Sequence, residues 1–312
     1  MDIINRRQNL LESIRFGNPV YVPRTDEGII TSIQFEGNFR MADWVDLWGV
    51  RWKIGVADAV PFPKGNPLTS LDKLDRFRIP APEELVLSDE VRRRFDAAKT
   101  SGKLVFGGLT YFLFERAWAL MGMEEFLMAL ATHPEQVKRL LRIIADFNIA
   151  VFQRYLDLGV DGVEFSEDLG SQKALLMSPE MFREFFLPEY RRCFEPVLAA
   201  GKMINFHSCG CIQDIVEDLA SIGVTILNPI QARANDLAKI KRKTVGEMAL
   251  MGAIDSHLLM TGNNDTIRAE VKRVIDILAP GGGYIIGLDQ GMPYPRDNLI
   301  SLWKAAEEYG RY

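Results

Sequence analysis

The stretch Asn205-Phe206-His207-Ser208-Cys209-Gly210-Cys211 places an imidazole and two thiols within five residues. The apolar run Met203–Phe206 precedes them, and a helix-like segment, Ile212–Ile222, follows. In an extended chain His207 and Cys209 leave the same face, so both can reach one ion. Neutral imidazole together with thiolate suits Zn²⁺. Taken alone, His207 could as well be a satisfied core histidine and Cys209 an inert thiol; their paired spacing at a strand end is what points to a metal. Cys211 stands beyond the strand-breaking Gly210 and is predicted to open the following helix.

The elements that must position this pair follow from periodicity. An amphipathic helix is predicted over Asn5–Phe16, with Leu10, Leu11 and Ile14 as its apolar stripe and Gly17 and Pro19 as its stop. Val20–Val22 reads as a short strand, and residues 24–82 as largely irregular apart from a β-hairpin over Trp44–Trp52. The tryptophans there either line a pocket or seal one end of the fold, and packing is the commoner use. Helices are predicted at Ser88–Ser101, Phe112–Leu120, Glu124–Ala131 and from Pro134 to Leu158, where Gly159 closes the last one. Strands are predicted at Leu104–Gly108, Gly162–Ser166, Met203–Phe206, Thr225–Ile230, Met248–Ala253 and Tyr284–Leu288.

These strands are near-continuous apolar runs alternating with helices, the pattern of parallel strands buried on both faces. With Val20–Val22 included their number approaches eight, which predicts an α/β (β/α)₈ TIM barrel with an N-terminal helical and hairpin extension. One domain is expected over residues 1–312, residues 1 to about 85 forming the extension and first strand and 86–312 the main barrel. A doubly wound open sheet is disfavoured, because no Gly-x-Gly-x-x-Gly follows an early strand. Gly281-Gly282-Gly283 lies between a helix and a strand and reads as a tight turn.

At 47% hydrophobic and 25% charged residues, the chain has the makings of a large core. A net charge of −5 gives no reason to expect a nucleic acid partner. Three cysteines are too few for a disulfide framework, and neither a signal peptide nor a bilayer-length apolar run is evident, so a cytoplasmic location is expected. The oligomeric state is open, with a homodimer among the possibilities.

On a barrel, chemistry gathers at the C-terminal strand ends. Here those ends read Glu164-Phe165-Ser166-Glu167-Asp168, His207-Ser208-Cys209, Asn228-Pro229-Ile230-Gln231, Ile254-Asp255-Ser256-His257 and Asp289-Gln290-Gly291. Glu167, Asp168 and Asp289 are the predicted catalytic carboxylates, although Glu167 and Asp168 could also be solvated loop residues. Asn228, Gln231, Tyr111 and Trp48 are predicted to face the substrate. His257 is expected to pack near a helix start and His133 to sit in a loop.

Read as a series, the chain resembles the uroporphyrinogen decarboxylase superfamily. The resemblance is carried by Gly159-Val160-Asp161-Gly162, Ser178-Pro179-Glu180-Met181-Phe182-Arg183-Glu184-Phe185, His207-Ser208-Cys209-Gly210, Gly252-Ala253-Ile254-Asp255, Pro280-Gly281-Gly282-Gly283-Tyr284 and Glu308-Tyr309-Gly310-Arg311-Tyr312. It runs from about Leu104 to the C-terminus and weakens before that. The superfamily's decarboxylases are cofactor-free barrels that hold tetrapyrrole carboxylates with an Arg-Gln-Ala-Gly-Arg segment after the first strand. Val22-Pro23-Arg24-Thr25-Asp26-Glu27 stands in its place here.

His-x-Cys-Gly at the middle strand is similar to the branch of zinc-dependent methyltransferases that exchange methyl groups with a corrinoid protein. In members acting on coenzyme M a late-strand cysteine completes the zinc site, whereas this chain has Gln290 beside Asp289. The resemblance therefore implies Zn²⁺ on His207 and Cys209 with oxygen supplied by Gln290, Asp289 or the Glu164/Glu167/Asp168 cluster. It also implies a small-molecule methyl donor and a corrinoid supplied by a partner protein, while the smaller number of thiolates and the aromatic-rich N-terminal third point to demethylation of a methoxylated or other methylated small molecule. Two other readings are a cofactor-free decarboxylase and a non-catalytic small-molecule-binding barrel.

Overall fold

The near-continuous apolar runs form parallel strands. The computed structural model describes residues 3–56 and 60–312, so Met1 and Asp2 of the segment inspected for targeting lie outside the described residues. In chain order the strands are β1 (Ile30–Ile33), β2 (Trp44–Val45), β3 (Arg51–Lys53), β4 (Phe62–Gly65), β5 (Leu104–Leu109), β6 (Gly162–Glu167), β7 (Met203–Ser208), β8 (Ile226–Ile230), β9 (Ala249–Ile254) and β10 (Tyr284–Leu288). Seven of them make one parallel sheet in the order β1-β5-β6-β7-β8-β9-β10, and β2, β3 and β4 make a small antiparallel sheet.

The first barrel strand is not Val20–Val22. That segment makes only isolated contacts: Tyr21 bridges Arg311, and the Val22 amide donates to Gly310 O at 2.7 Å. Pro23 follows with no N–H to extend a ladder. The ladder begins instead at Ile30–Ile33, paired from Ile30↔Leu104 to Ile33↔Gly107, inside a stretch whose mixed composition hid it. Just upstream, Ile286 N donates to Pro23 O at 2.9 Å, and Arg24 forms a parallel bridge with Ile286. One chain segment thus touches both edges of the seven-stranded sheet and curls it into an α/β TIM barrel with one stave reduced to a single bridge.

Inward-facing residues alternate along each strand, and their character changes from one end to the other. At the N-terminal ends Leu104, Phe106, Ile226, Ala249 and Ile285 pack with Leu10, Leu11 and Ile14 of the helix Ile3–Ile14. That helix is pinned there by Ser13, whose hydroxyl donates to Tyr284 O and whose carbonyl accepts from Gly283 N. The predicted apolar stripe therefore plugs the floor of the barrel, and the C-terminal end is left for chemistry.

The other predicted helices form close to their expected limits. Ser88 caps Asp89–Thr100, and Gly159 ends Pro134–Leu158 in a left-handed conformation. The segment expected to be helical over Ile212–Ile222 shortens to Val216–Ser221, because the amides of Cys211 and Ile212 are taken by Ser171 O and Asn235 Oδ1. The hairpin pairs Trp44 with Trp52, as its alternation predicted. Among the described residues, no helix is long and apolar enough to cross a membrane.

Candidate metal centre

Strand register places the polar side chains. β6 and β7 pair Glu164 with Asn205 and Ser166 with His207, and β8 sets Asn228 opposite His207. Parity then turns these residues inward, above the apolar floor, around a cavity of about 140 Å³ that Gln34 and Thr110 also line. Gly108 faces the same space, and a side chain there would run into Ser32 and Gln34.

A directional hydrogen-bond chain fixes the orientation of His207. Asn205 Nδ2 donates to Glu164 Oε2 at 3.3 Å, Asn228 Nδ2 donates to Asn205 Oδ1, and Asn228 Oδ1 lies 3.1 Å from His207 Nδ1. With the Asn228 amide nitrogen and oxygen assigned in this sense, Nδ1 is the ring nitrogen that donates to Asn228, which leaves Nε2 as the one turned to a metal. That nitrogen faces Cys209 Sγ at 3.6 Å and Asp168 Oδ1 at 3.9 Å.

The loops after β6 and β7 bring Asp168 to this pair. The Cys209 amide donates to Asp168 Oδ1 at 3.0 Å, Leu169 N to Ser208 Oγ at 3.0 Å, and Cys211 N to Ser171 O at 2.7 Å. The backbones approach so closely that a Cβ on Gly210, whose φ is +85°, would lie 2.1 Å from Gly170 O. Glycine at the end of His-x-Cys-Gly is thus what allows the two loops to meet.

Ligand atoms of Asp168, His207 and Cys209 all lie within 4.8 Å of one another. Standard zinc bond lengths at a tetrahedral angle put nitrogen and sulfur about 3.6 Å apart, which is the His207–Cys209 separation. The residues fit a zinc ion with three protein ligands and an open side, since Asp168 is exposed. Burial and the neighbouring Asp168 carboxylate push the Cys209 thiol up to about 12, so it is a cation at this position that would favour its thiolate.

The structure redistributes the other predicted roles. Asp168, expected to be catalytic, is the third ligand candidate, while Gln290 reaches the cluster only as a donor, its Nε2 lying 3.4 Å from Cys209 Sγ. Glu164, expected as a ligand, lies deeper in the cavity, and burial raises its pKa. Asp289 turns away to accept from the amide and hydroxyl of Ser256. Glu167 has the opposite parity to Glu164 and faces outward, where it is fully buried and accepts from the amides of Leu113, Phe114 and Glu115 and from the Tyr190 hydroxyl. It caps the helix Phe114–Met121 rather than facing the cavity.

Of the predicted substrate contacts, Asn228 lines the cavity and orients His207. Gln231 instead steadies the loop by accepting from Gly210 N at 2.8 Å. Tyr111 stacks on Trp52 with centroids 4.0 Å apart, and Trp48 packs edge-on against Phe147. Both belong to the packing of the small sheet, around the buried Arg116–Asp46 pair. Cys211 is buried in the core, His257 donates its amide to the cap residue Asp255, and His133 is exposed between two helices. Gln34, Thr110 and Asn205 were not singled out by sequence. Asn205 shares the parity of His207, which is the signal that could have found it.

The uroporphyrinogen decarboxylase (URO-D) family model matches residues 49–309. The chain belongs to this family. Two relatives named uroporphyrinogen decarboxylase illustrate its distance from them. The one from Aromatoleum aromaticum is 26% identical over 170 residues, 52% of this chain and 44% of the relative. That from Xanthomonas campestris is 24% identical over 254 residues, 73% of this chain and 66% of the relative. The chain thus spans about half to two thirds of the length of these relatives.

Among solved structures, a methyltransferase from Methanosarcina mazei has a TM-score of 0.74 at 18% identity, covering 97% of this URO-D family chain and 98% of that one. A B12-independent methionine synthase from Shewanella sp. W3-18-1 has a TM-score of 0.50 at 11% identity, covering 92% and 77%. At these identities the likeness is one of fold.

Proposed function

We propose that this URO-D family protein is a zinc-dependent methyltransferase that moves a methyl group between a small methylated substrate and a corrinoid carried by a partner protein. The observation that carries the reading is the convergence of Asp168, His207 and Cys209, with Nε2 freed by the Asn228 bond. Zinc bound there would supply Lewis acidity toward an oxygen or sulfur of the substrate. Asn228 holds the imidazole in the ligating tautomer, Gln290 donates to the cysteine sulfur, and the polar cavity wall orients the substrate beneath. The fold shared with the Methanosarcina mazei methyltransferase supports the same reading.

The cavity is small and mostly polar, which favours a compact polar substrate over a methoxylated aromatic ring. A decarboxylase acting on a poly-carboxylate is the second reading, favoured by the names of the curated relatives. Against it, neither Lys nor Arg is among the residues lining the cavity, and carboxylate recognition calls for such groups.

The two readings separate in one pair of assays. Methyl transfer from a panel of small methyl ethers, amines and thioethers to reduced cobalamin is expected to stop on chelation and return with zinc. Uroporphyrinogen decarboxylation that persists in chelator, with no methyl transfer, would overturn the proposal.

A further inference from the structure

The cavity beneath the candidate metal centre is lined by a carboxylate and by no lysine or arginine to match it. Glu164 shares the space with Gln34, Thr110, Ser166, Asn205 and His207, and none of the residues lining it is Lys or Arg. The neighbouring amide oxygens are already committed: Gln34 Oε1 accepts from Asn38, Asn205 Oδ1 from Asn228, and Asn228 Oδ1 from His207. His207 in turn has its Nδ1 engaged by Asn228. A carboxylate offers about four acceptor positions, more than Asn205 Nδ2 at 3.3 Å and the Ser32 hydroxyl fill. Glu164 is therefore the strongest acceptor facing the cavity, and an anionic ligand would meet repulsion there.

Register sets the spacing. Glu164 lies level with Asn205, and Ser166 lies level with His207. Glu164 is thus two residues, or about 6.6 Å of strand, nearer the barrel floor than the metal-ligating imidazole.

We infer that the substrate is a small ammonium compound, its charged nitrogen against Glu164 and its methyl-bearing heteroatom at the His207 end of the cavity. A spacer of about two to four carbons fits the register step. This inference names the substrate class of the site described under the proposed function and rests on that reading for the chemistry, whereas the cation subsite stands on Glu164 alone.

Three probes of similar size test it on the intact protein by calorimetry: cationic 2-methoxyethylamine, neutral 1-methoxypropane and anionic methoxyacetate. The cation is expected to bind about tenfold or more tighter than the neutral ether, with the anion weakest. Glu164→Gln should bring the cation down to the neutral level, Glu164→Asp should restore part of the preference, and neither should change zinc content. Equal or tighter binding of methoxyacetate, failure of the cation to bind at millimolar concentration, or a preference that survives in Glu164→Gln would overturn the inference. A zinc-free wild-type protein that still shows the Glu164-dependent preference would keep the cation subsite and remove the metal reading instead.

Discussion

The two ends of the barrel interior are built from the same inward-facing rows and have opposite chemistry. At the N-terminal ends those rows read Leu104, Phe106, Ile226 and Ala249, closed over by Leu10, Leu11 and Ile14. One or two inward steps along the neighbouring strands they read Glu164, Ser166, Asn205, His207 and Asn228. The first set gains stability by leaving water. The second is costly to bury and persists because its members satisfy one another, as in the chain from Glu164 through Asn205 and Asn228 to His207. A barrel can thus concentrate stability at one end and hold a preorganised polar site at the other.

Substitutions at the two ends should separate accordingly. The largest effect is expected at the floor: Phe106→Ala, at a fully buried position, should cost about 3–5 kcal/mol in denaturant unfolding while leaving zinc affinity unchanged. A variant that lost zinc without losing stability would break the division between the ends. Asn228→Ala, at the other end, removes the group that sets the His207 tautomer. It should weaken zinc binding about 10- to 100-fold in a competitive chelator titration, with a much smaller stability change; unaltered affinity would mean that the hydrogen-bond chain does not orient the ligand.

The smallest effect is a pH dependence. Burial raises the Glu164 pKa above its ordinary value of 4.5 in the folded state. Below 4.5 the carboxyl is protonated whether folded or not and contributes no pH dependence. As pH rises from 4.5 toward the folded-state value the unfolded chain ionises first, so stability falls across that window and the penalty persists above it. Relative to Glu164→Gln, the wild type should therefore lose stability over this window in urea titrations at stepped pH. A gain over the same range would show that Glu164 is better stabilised as an anion in the fold than in water.

How much of this the sequence carries depends on how local the cause is. β5 to β10 fall within a residue or two of their predicted positions, because a parallel strand buried on both faces writes itself as an apolar run. β1 was hidden because Ile30–Ile33 mixes Thr and Ser into a short strand, behind a turn at Thr25–Glu27. His207 and Cys209 were legible because two residues of extended chain bring them together. Asp168 joins them only through the approach of Gly170 to Gly210, a contact between separate loops that no periodicity records. Glu164 and Glu167 looked equivalent as carboxylates near one strand end, yet counting by twos assigns the first to the cavity and the second to the outer face, where it caps a helix.

The central claim is that Asp168, His207 and Cys209 form a zinc site. Its most direct test is elemental analysis of the purified protein beside Cys209→Ser. The account predicts about one zinc per wild-type chain and its loss in the variant, with the fold intact by circular dichroism. Zinc that is sub-stoichiometric in the wild type and undiminished by the substitution would contradict it.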